Sequence, residues 1–307
     1  MPEGPDSDAD RFDLIFKVDQ FNARDWSHAL AEQGHEVAWV NWRDFDPTAD
    51  GGRGGFRRLY LAHGPGYVRP PPLASFDLLW IYKMEGFLVD QPWFFAMVDA
   101  FEATGAVVIN DPPLIRHNID KHYLLQLQSA GIRTVPSSGD GQQARAWLEA
   151  GREVIAKPWH SERSIGQQRL TSTGDLDRLG AREDGWLFQP LVPEVVHGER
   201  SLVFLGKAFQ FAAIKVPKPG EIRTNQTFRI PREQYHPEPD ELALAEATLA
   251  AYAGLGFQPR FSRIDLLRDA QGPMVIEAEL LNPTTGAEVL RDDQFTQAIV
   301  RYLVSLI

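Results

Sequence analysis

The 307-residue chain reads as an α/β region followed by an α+β region. Three observations predict this. Before residue 117, short apolar β-prone runs alternate with helix-like segments, the pattern of a parallel sheet with helices on its faces. Beyond it, strands follow one another across turn signals instead of helices. Two apolar runs of this second half, "VIAKP" and "VIEAEL", also carry charges where a core strand would not.

The elements follow in order. "DLIFKVD" (13–19) predicts a first strand, "DWSHALAEQG" (25–34) a helix with an Asp cap and a closing glycine, and "EVAWVNW" (36–42) a second strand. Residues 46–75, with "GGRGG" and "RPPP", read as a hairpin-like excursion. Strand "FDLLWIY" (76–82), helix "QPWFFAMVDAFEATG" (91–105) and strand "AVVIN" (106–110) complete this region.

The helix "NIDKHYLLQLQSAG" then leads to a short strand near 133, a helix around 142–150 and the strand "EVIAKP" (153–158). "WLFQPLV" and "RSLVFLGKAFQFAAIKV" read as strands, the latter reversing at Gly206-Lys207. A helix over 239–253, a strand–turn–strand unit in "RFSRIDLLRDAQGPMVIEAEL" and a C-terminal helix close the chain.

Composition narrows the function. A net charge of −11 argues against general binding to nucleic acid or a membrane surface. The absence of cysteine excludes disulfides, thiolate catalysis and Cys-ligated zinc. The start, "MPEGPDSDADRFD", lacks the apolar core of a signal peptide, and "FLVDQPWFFAMVDAF" is broken by Asp90, Gln91, Pro92 and Asp99. A soluble cytoplasmic protein is expected.

In "VIEAELLNP", Glu277 and Glu279 share one strand face, roughly 6–7 Å apart. The preceding "FSRIDLL" is expected to pair with this strand across a turn containing Gly272-Pro273. A five-residue loop sets Asp265 opposite Glu277, whereas a six-residue loop turns it to the other face. In the first register the three carboxylates suit a hard cation such as Mg²⁺, which commonly arrives with phosphates; otherwise the strand is a solvated edge. Lys157 ends "VIAKP", Lys121 falls in the first turns of the helix after "NDPPLIRHNID", and Arg223 lies in the loop "PKPGEIRTN". Each is either a phosphate contact or an ordinary surface cation. Neither a P-loop nor G-x-G-x-x-G occurs.

The joint order of these groups resembles the ATP-grasp ligases, in their bacterial glutathione synthetase branch. The likeness runs through "FDLIFKVDQFNARDWSHALAEQGHEVAWVNWRDFD", "VVINDPPLIRHNIDKHYLLQLQSAGIRTVPS", "VIAKP", "WLFQPLVPEVVHGERSLVF", "KVPKPGEIRTN" and "RIDLL … VIEAELLNPTTG". The resemblance implies an N-terminal parallel-sheet domain over 1–116, a central ATP-grasp subdomain over 117–192 and a C-terminal subdomain over 193–307. It implies Lys121 and Lys157 on the phosphates of ATP, a hinge around Gln189, Leu191 and Val192 on adenine, and Glu199 near the ribose. It places Arg223 and Asn225 as catalytic residues, and Asp265, Glu277 and Glu279 on Mg²⁺, with Mn²⁺ as the alternative metal. The reaction implied is ATP-dependent carboxylate–amine ligation through an acyl phosphate, on small-molecule substrates, in a homodimer. An intramolecular cyclo-ligase and a non-catalytic nucleotide-binding relative are the alternatives.

The chain also departs from that branch. Its loop after the second lysine, "WHSERSIGQQ", holds one glycine, Gly166, where the family is glycine-rich. There His160, Ser161, Arg163 and Ser164 are either side-chain donors or parts of an ordinary polar loop. Ser201 stands where the glutathione branch tends to have arginine. Glu279 stands in place of an asparagine, as in relatives resembling the O-ureidoserine cyclo-ligase. Lys83 and "KVDQFN" (17–22) are the candidates for the substrate side.

Overall fold

A computed structural model describes residues 23–61, 67–82, 84, 86–162, 164–181, 185–221, 230–281, 283, 287–290 and 293–307. The expected strand at 13–19 and the candidates Lys83, Arg163, Arg223 and Asn225 lie outside the described residues.

Strands Leu78–Trp80 and Val107–Ile109 pair in parallel, and the helix Gln91–Glu102 crosses between them. Asp90 caps that helix by accepting from the Trp93 N–H at 3.2 Å, with Pro92 in the first turn. Phe94, Met97, Val98 and Phe101 face inward against Phe45, Leu79 and Ile115. The helix expected over 25–34 spans Ala23–Glu32. The strand expected over 36–42 shrinks to Ala38–Trp39, because the Asn41 side chain accepts from the Arg43 N–H and starts a 3-10 turn at Trp42–Asp44. Among its described residues the excursion takes part in three antiparallel pairings: Phe45–Asp46 joins Gly55–Phe56, and Leu59–Leu61 lies between Ala38–Trp39 and Tyr67–Val68. Gly54 is required in the first, since a Cβ there would meet the Phe45 ring at 2.8 Å.

In the middle of the chain Val154–Pro158 is the central strand of three, between Gln168–Leu170 and Trp186–Pro190. Helices Gly141–Glu149 and Thr173–Leu179 cover it. Beyond lies a five-stranded antiparallel sheet in the order Arg232–Tyr235, Ala208–Lys215, Glu199–Leu205, Phe261–Asp269, Gly272–Glu279. The helix Pro239–Gly254 buries Ala245, Leu249 and Tyr252 against Leu202, Phe204, Ile264, Leu266, Val275 and Ala278 of that sheet. Alternation along each strand then sends Glu199, Ser201, Arg263 and Asp265 to the opposite face. The C-terminal helix Gln294–Val304 joins this sheet to the first region, packing Phe295, Ile299 and Leu303 with Trp26, Leu30, Val203 and Phe261.

The predicted helix "NIDKHYLLQLQSAG" is interrupted. Helix Pro112–Asn118 ends, residues 119–122 form a turn, and Tyr123–Ser129 begins a second helix. Lys121 therefore sits in a turn between helices, and not in a first helical turn. Asn110 and Asn118 tie this stretch to the far sheet by acting as backbone surrogates. Asn110 donates to Phe261 O at 2.7 Å and also to Leu280 O, while Asn118 donates to Ala278 O at 2.8 Å and accepts from Leu280 N–H at 2.9 Å. The strands Gln168–Leu170 and Arg232–Tyr235 and the helix Thr173–Leu179 are absent from the sequence reading, being short and largely polar.

Candidate active site

The acidic hairpin reverses at Ala270-Gln271, two residues before the expected turn, so Gly272 and Pro273 already belong to the second strand. Arg133 holds this end: it donates to Gly272 O at 2.6 Å and Pro273 O at 2.8 Å, and both oxygens of Asp269 accept at 2.8 Å. The strand is not an open edge. Its Val275 N–H donates to Arg133 O and its carbonyl accepts from Val135 N–H, each at 2.9 Å.

From the turn, pairing runs Asp269 with Gly272 and Leu266 with Val275, then shifts by one residue to match Asp265 with Glu277. Without the shift Asp265 would oppose Ile276. The bulge therefore selects the carboxylate-matching register. Val275 and Ala278 point into the core, while Glu277 and Glu279 keep 32% and 28% of their side chains open.

Two cations approach from other elements. The Lys121 ammonium donates to Glu277 Oε1 and to the Ser161 carbonyl, both at 3.1 Å. The side chain of Lys157, on the central strand of the three-stranded sheet, has neither ion pair nor hydrogen bond among the described residues. Burial lowers its pKa, although Glu277 acts the other way. Burial would raise the Glu277 carboxyl, but Lys121 and Lys157 hold it below its ordinary value. Glu279 goes up to about 7, because burial and the neighbouring Glu277 outweigh Arg263.

Asp265 is 1% exposed. Burial opposes its charge, yet Arg263 and then Lys215 hold its pKa down at about 2. Arg263 donates Nε to Asp265 Oδ1 and Nη2 to Oδ2, both at 2.8 Å, and lies 3.9 Å from Glu279. Lys215 is ion-paired to Glu199, its cross-strand partner. Arg263 and Lys215 went unnoticed in the sequence. Arg263 is two residues from Asp265 on the same face, and Lys215 ends an apolar strand just as Lys157 does, so both carried a legible signal.

The hinge candidates leave the strand Trp186–Pro190. The buried Gln189 side chain donates to Ser137 Oγ at 3.0 Å, and the Leu191 N–H donates to Glu153 O at 2.8 Å. Leu191 and Val192 join Leu267, Met274 and Ile276 in an apolar patch beside the carboxylates. Arg223 and Asn225 lie outside the described residues.

Among the described residues, no three His, Asp or Glu side chains already surround one point. The residues nevertheless fit a divalent cation. Three carboxylates share one face, and burial together with the neighbouring Glu277 keeps Glu279 protonated up to about pH 7 against the pull of Arg263, a cost that a cation bound between the carboxylates would relieve.

Over 222 residues the chain is 30% identical to the cycloserine biosynthesis protein DcsG of Streptomyces lavendulae, covering 64% of this chain and 73% of that protein. The chain belongs to the ATP-grasp ligases. A glutathione synthetase of Nitrosomonas europaea is 26% identical over 169 residues, 52% of each chain. The crystal structure of D-cycloserine synthetase DcsG superposes on this ATP-grasp chain with a TM-score of 0.71, covering 92% of it and 95% of the other at 24% identity. The ATP-grasp ligase PsnB, complexed with a precursor variant, Mg and ADP, superposes with a TM-score of 0.56 at 14% identity, over 94% and 95% of the two chains. No family model matches. This ATP-grasp protein stands in the branch of the glutathione synthetases and DcsG, and its reaction class is ATP-dependent carboxylate–amine ligation. Among the described residues no helix is long and apolar enough to cross a membrane.

Proposed function

We propose that the protein phosphorylates a small-molecule carboxylate with ATP and passes the acyl group to an amine. A carboxylate oxygen attacks the γ-phosphorus and ADP leaves. The amine nitrogen then attacks the acyl carbon, phosphate leaves and the nitrogen loses a proton, forming an amide-type bond. The observation that carries this reading is the pair of lysines. Lys121 reaches Glu277 from a turn, while Lys157 brings from another sheet a partly buried ammonium whose side chain has no ion pair or hydrogen bond among the described residues. An anionic ligand is what balances such a charge.

In this reading Lys121 and Lys157 neutralise phosphate oxygens, and the patch formed by Leu191, Val192, Met274 and Ile276 covers the adenine. Glu199, held by Lys215, faces the ribose. Asp265, Glu277 and Glu279 hold Mg²⁺ or Mn²⁺, which when bound supplies charge neutralisation on the phosphates. Arg223 offsets charge on the transferring group and Asn225 helps orient it. The division at 1–116, 117–192 and 193–307, and a homodimer, belong to the same reading.

A screen of ADP release over small carboxylates and amino acids, each paired with amines, tests it. Substrate-dependent ADP is expected, and Glu277→Gln should remove it. Nucleotide binding with no substrate-dependent ADP would instead mark a non-catalytic nucleotide-binding relative. Intramolecular cyclisation is the second reading, favoured by the 30% identity to DcsG and the TM-score of 0.71 to D-cycloserine synthetase. Product mass separates the two, because cyclisation removes one water and joins no second molecule.

A further inference from the structure

The segment after Lys157 is fastened at both ends, and one fastening crosses to the N-terminal region. At its base the Trp159 ring stacks on His122, with centroids 3.5 Å apart and planes 15° apart. Trp159 O accepts from the Lys121 N–H at 3.1 Å, and Ser161 O accepts from the Lys121 ammonium, which also holds Glu277. The next residue, Glu162, reaches the other way. Its Oε1 accepts from the Gly86 N–H at 2.9 Å, across 76 positions of sequence. Gly86 has φ +77 and leads into the 3-10 turn Phe87–Asp90. A Cβ there would lie 3.3 Å from Arg43 Nη2, so a guanidinium flanks the contact.

Residues 162–167 satisfy part of their own backbone. Ile165 N–H donates to Glu162 O at 2.9 Å and Gln167 N–H to Ser164 O at 3.2 Å. Those two amides are taken up inside the segment and do not tie it to other elements. Through its bond with the Gly86 N–H, the Glu162 side chain links the segment to the N-terminal region.

We propose that Glu162 is a positioning residue. It fixes the loop beside the phosphate-side lysine by holding Gly86, so that the nucleotide side and the segment 86–90 are coupled through the path Gly86, Glu162, Ser161, Lys121, Glu277. The coupling rests on the ATP-dependent reading above; the tie itself does not.

Amide hydrogen exchange of residues 86–90 tests both parts in the wild type, Glu162→Ala and Glu162→Gln, with and without Mg²⁺ and the non-hydrolysable analogue AMP-PNP. Without nucleotide, E162A should exchange about tenfold faster there, the scale of one lost hydrogen bond. E162Q should stay close to the wild type, since its amide oxygen still accepts. The helix Pro239–Gly254 should exchange equally in all three, reporting intact folding. Mg²⁺ with AMP-PNP should slow exchange at 86–90 in the wild type and E162Q but not in E162A, and calorimetry should show about tenfold weaker binding to E162A.

Equal exchange in E162A and the wild type without nucleotide would overturn the tie. Protection by nucleotide undiminished in E162A would overturn the coupling. E162Q behaving like E162A would overturn the accepting role in favour of charge. Failure of the wild type to bind Mg²⁺ with AMP-PNP would remove the coupling and the ATP-dependent reading together, while the nucleotide-free comparison would still judge the tie.

Discussion

Asp265 faces Glu277 because Ile276 is an extra residue in its strand. The pairing that leaves the turn, Leu266 with Val275, would bring Ile276 opposite Asp265 and send Glu277 toward the core. The bulge lets Val275 and Ala278 enter the core while Ile276, Glu277 and Glu279 remain on the side of the lysines. A single irregularity thus decides whether the carboxylates of two strands meet.

Glu277→Gln is expected to lower substrate-dependent ADP release by roughly 10²–10³-fold, the scale of losing one preorganised charged group in a phosphoryl-transfer site. Gln keeps the shape and can still accept from Lys121, so thermal unfolding should move little. Activity within twofold of the wild type would remove Glu277 from the mechanism.

Lys157→Met should separate binding from stability. The partly buried ammonium makes no ion pair or hydrogen bond among the described residues, and burial opposes its charge more than Glu277 supports it, so its removal is expected to stabilise the nucleotide-free protein slightly, by less than about 1 kcal/mol. Nucleotide affinity should fall in the same variant. Denaturant titration and calorimetry on one preparation check both signs.

Glu279 makes the metal-free protein pH-sensitive. Its carboxyl is raised from 4.5 to about 7, so between those values the folded state binds more protons than the unfolded state. This contribution is fully present below about pH 4.5 and is lost as pH rises through about 7. Urea midpoints at several pH values across that window should fall with pH in the wild type and flatten in Glu279→Gln. Adding Mg²⁺ should restore stability at the alkaline end, where the carboxylate is free to bind it.

Arg263→Met leaves Asp265 buried without its main partner. The Asp265 side chain is 2% exposed and that of Arg263 11%, so the loss is expected to be about 3 kcal/mol. Arg263→Lys should recover part of it, since an ammonium replaces the charge but not the two-pronged contact. Equal stability of R263M and the wild type in denaturant titration would show that the pair is not holding Asp265.

The site was legible where its signal is local and chemical. A cation ending the apolar strand "VIAKP" and two glutamates on one face of "VIEAEL" both violate burial rules within a few residues. Lys215 and Arg263 also sit on strands that bury their neighbours, but their roles show only when Glu199 and Asp265 stand beside them. Lys121 was found, but on the wrong kind of element. Helical periodicity runs through "NIDKHYLLQLQSAG", while the Lys121 N–H is drawn to Trp159 O, just past the distant strand Val154–Pro158, where the helix is interrupted.

By itself the sequence determined the succession of α/β and α+β regions and the set of charged groups, with the ATP-grasp family that their order implies. These follow from propensity, alternation and burial cost, which act over a few neighbouring residues. Tertiary structure decided three things that local rules cannot reach: the register that sets Asp265 against Glu277, the pairing of Arg263 with Asp265 and of Lys215 with Glu199, and the bond from Glu162 to Gly86. The physical reason is common to them. A bulge, an ion pair and a hydrogen bond across 76 positions depend on which surfaces the packed sheets and helices bring together.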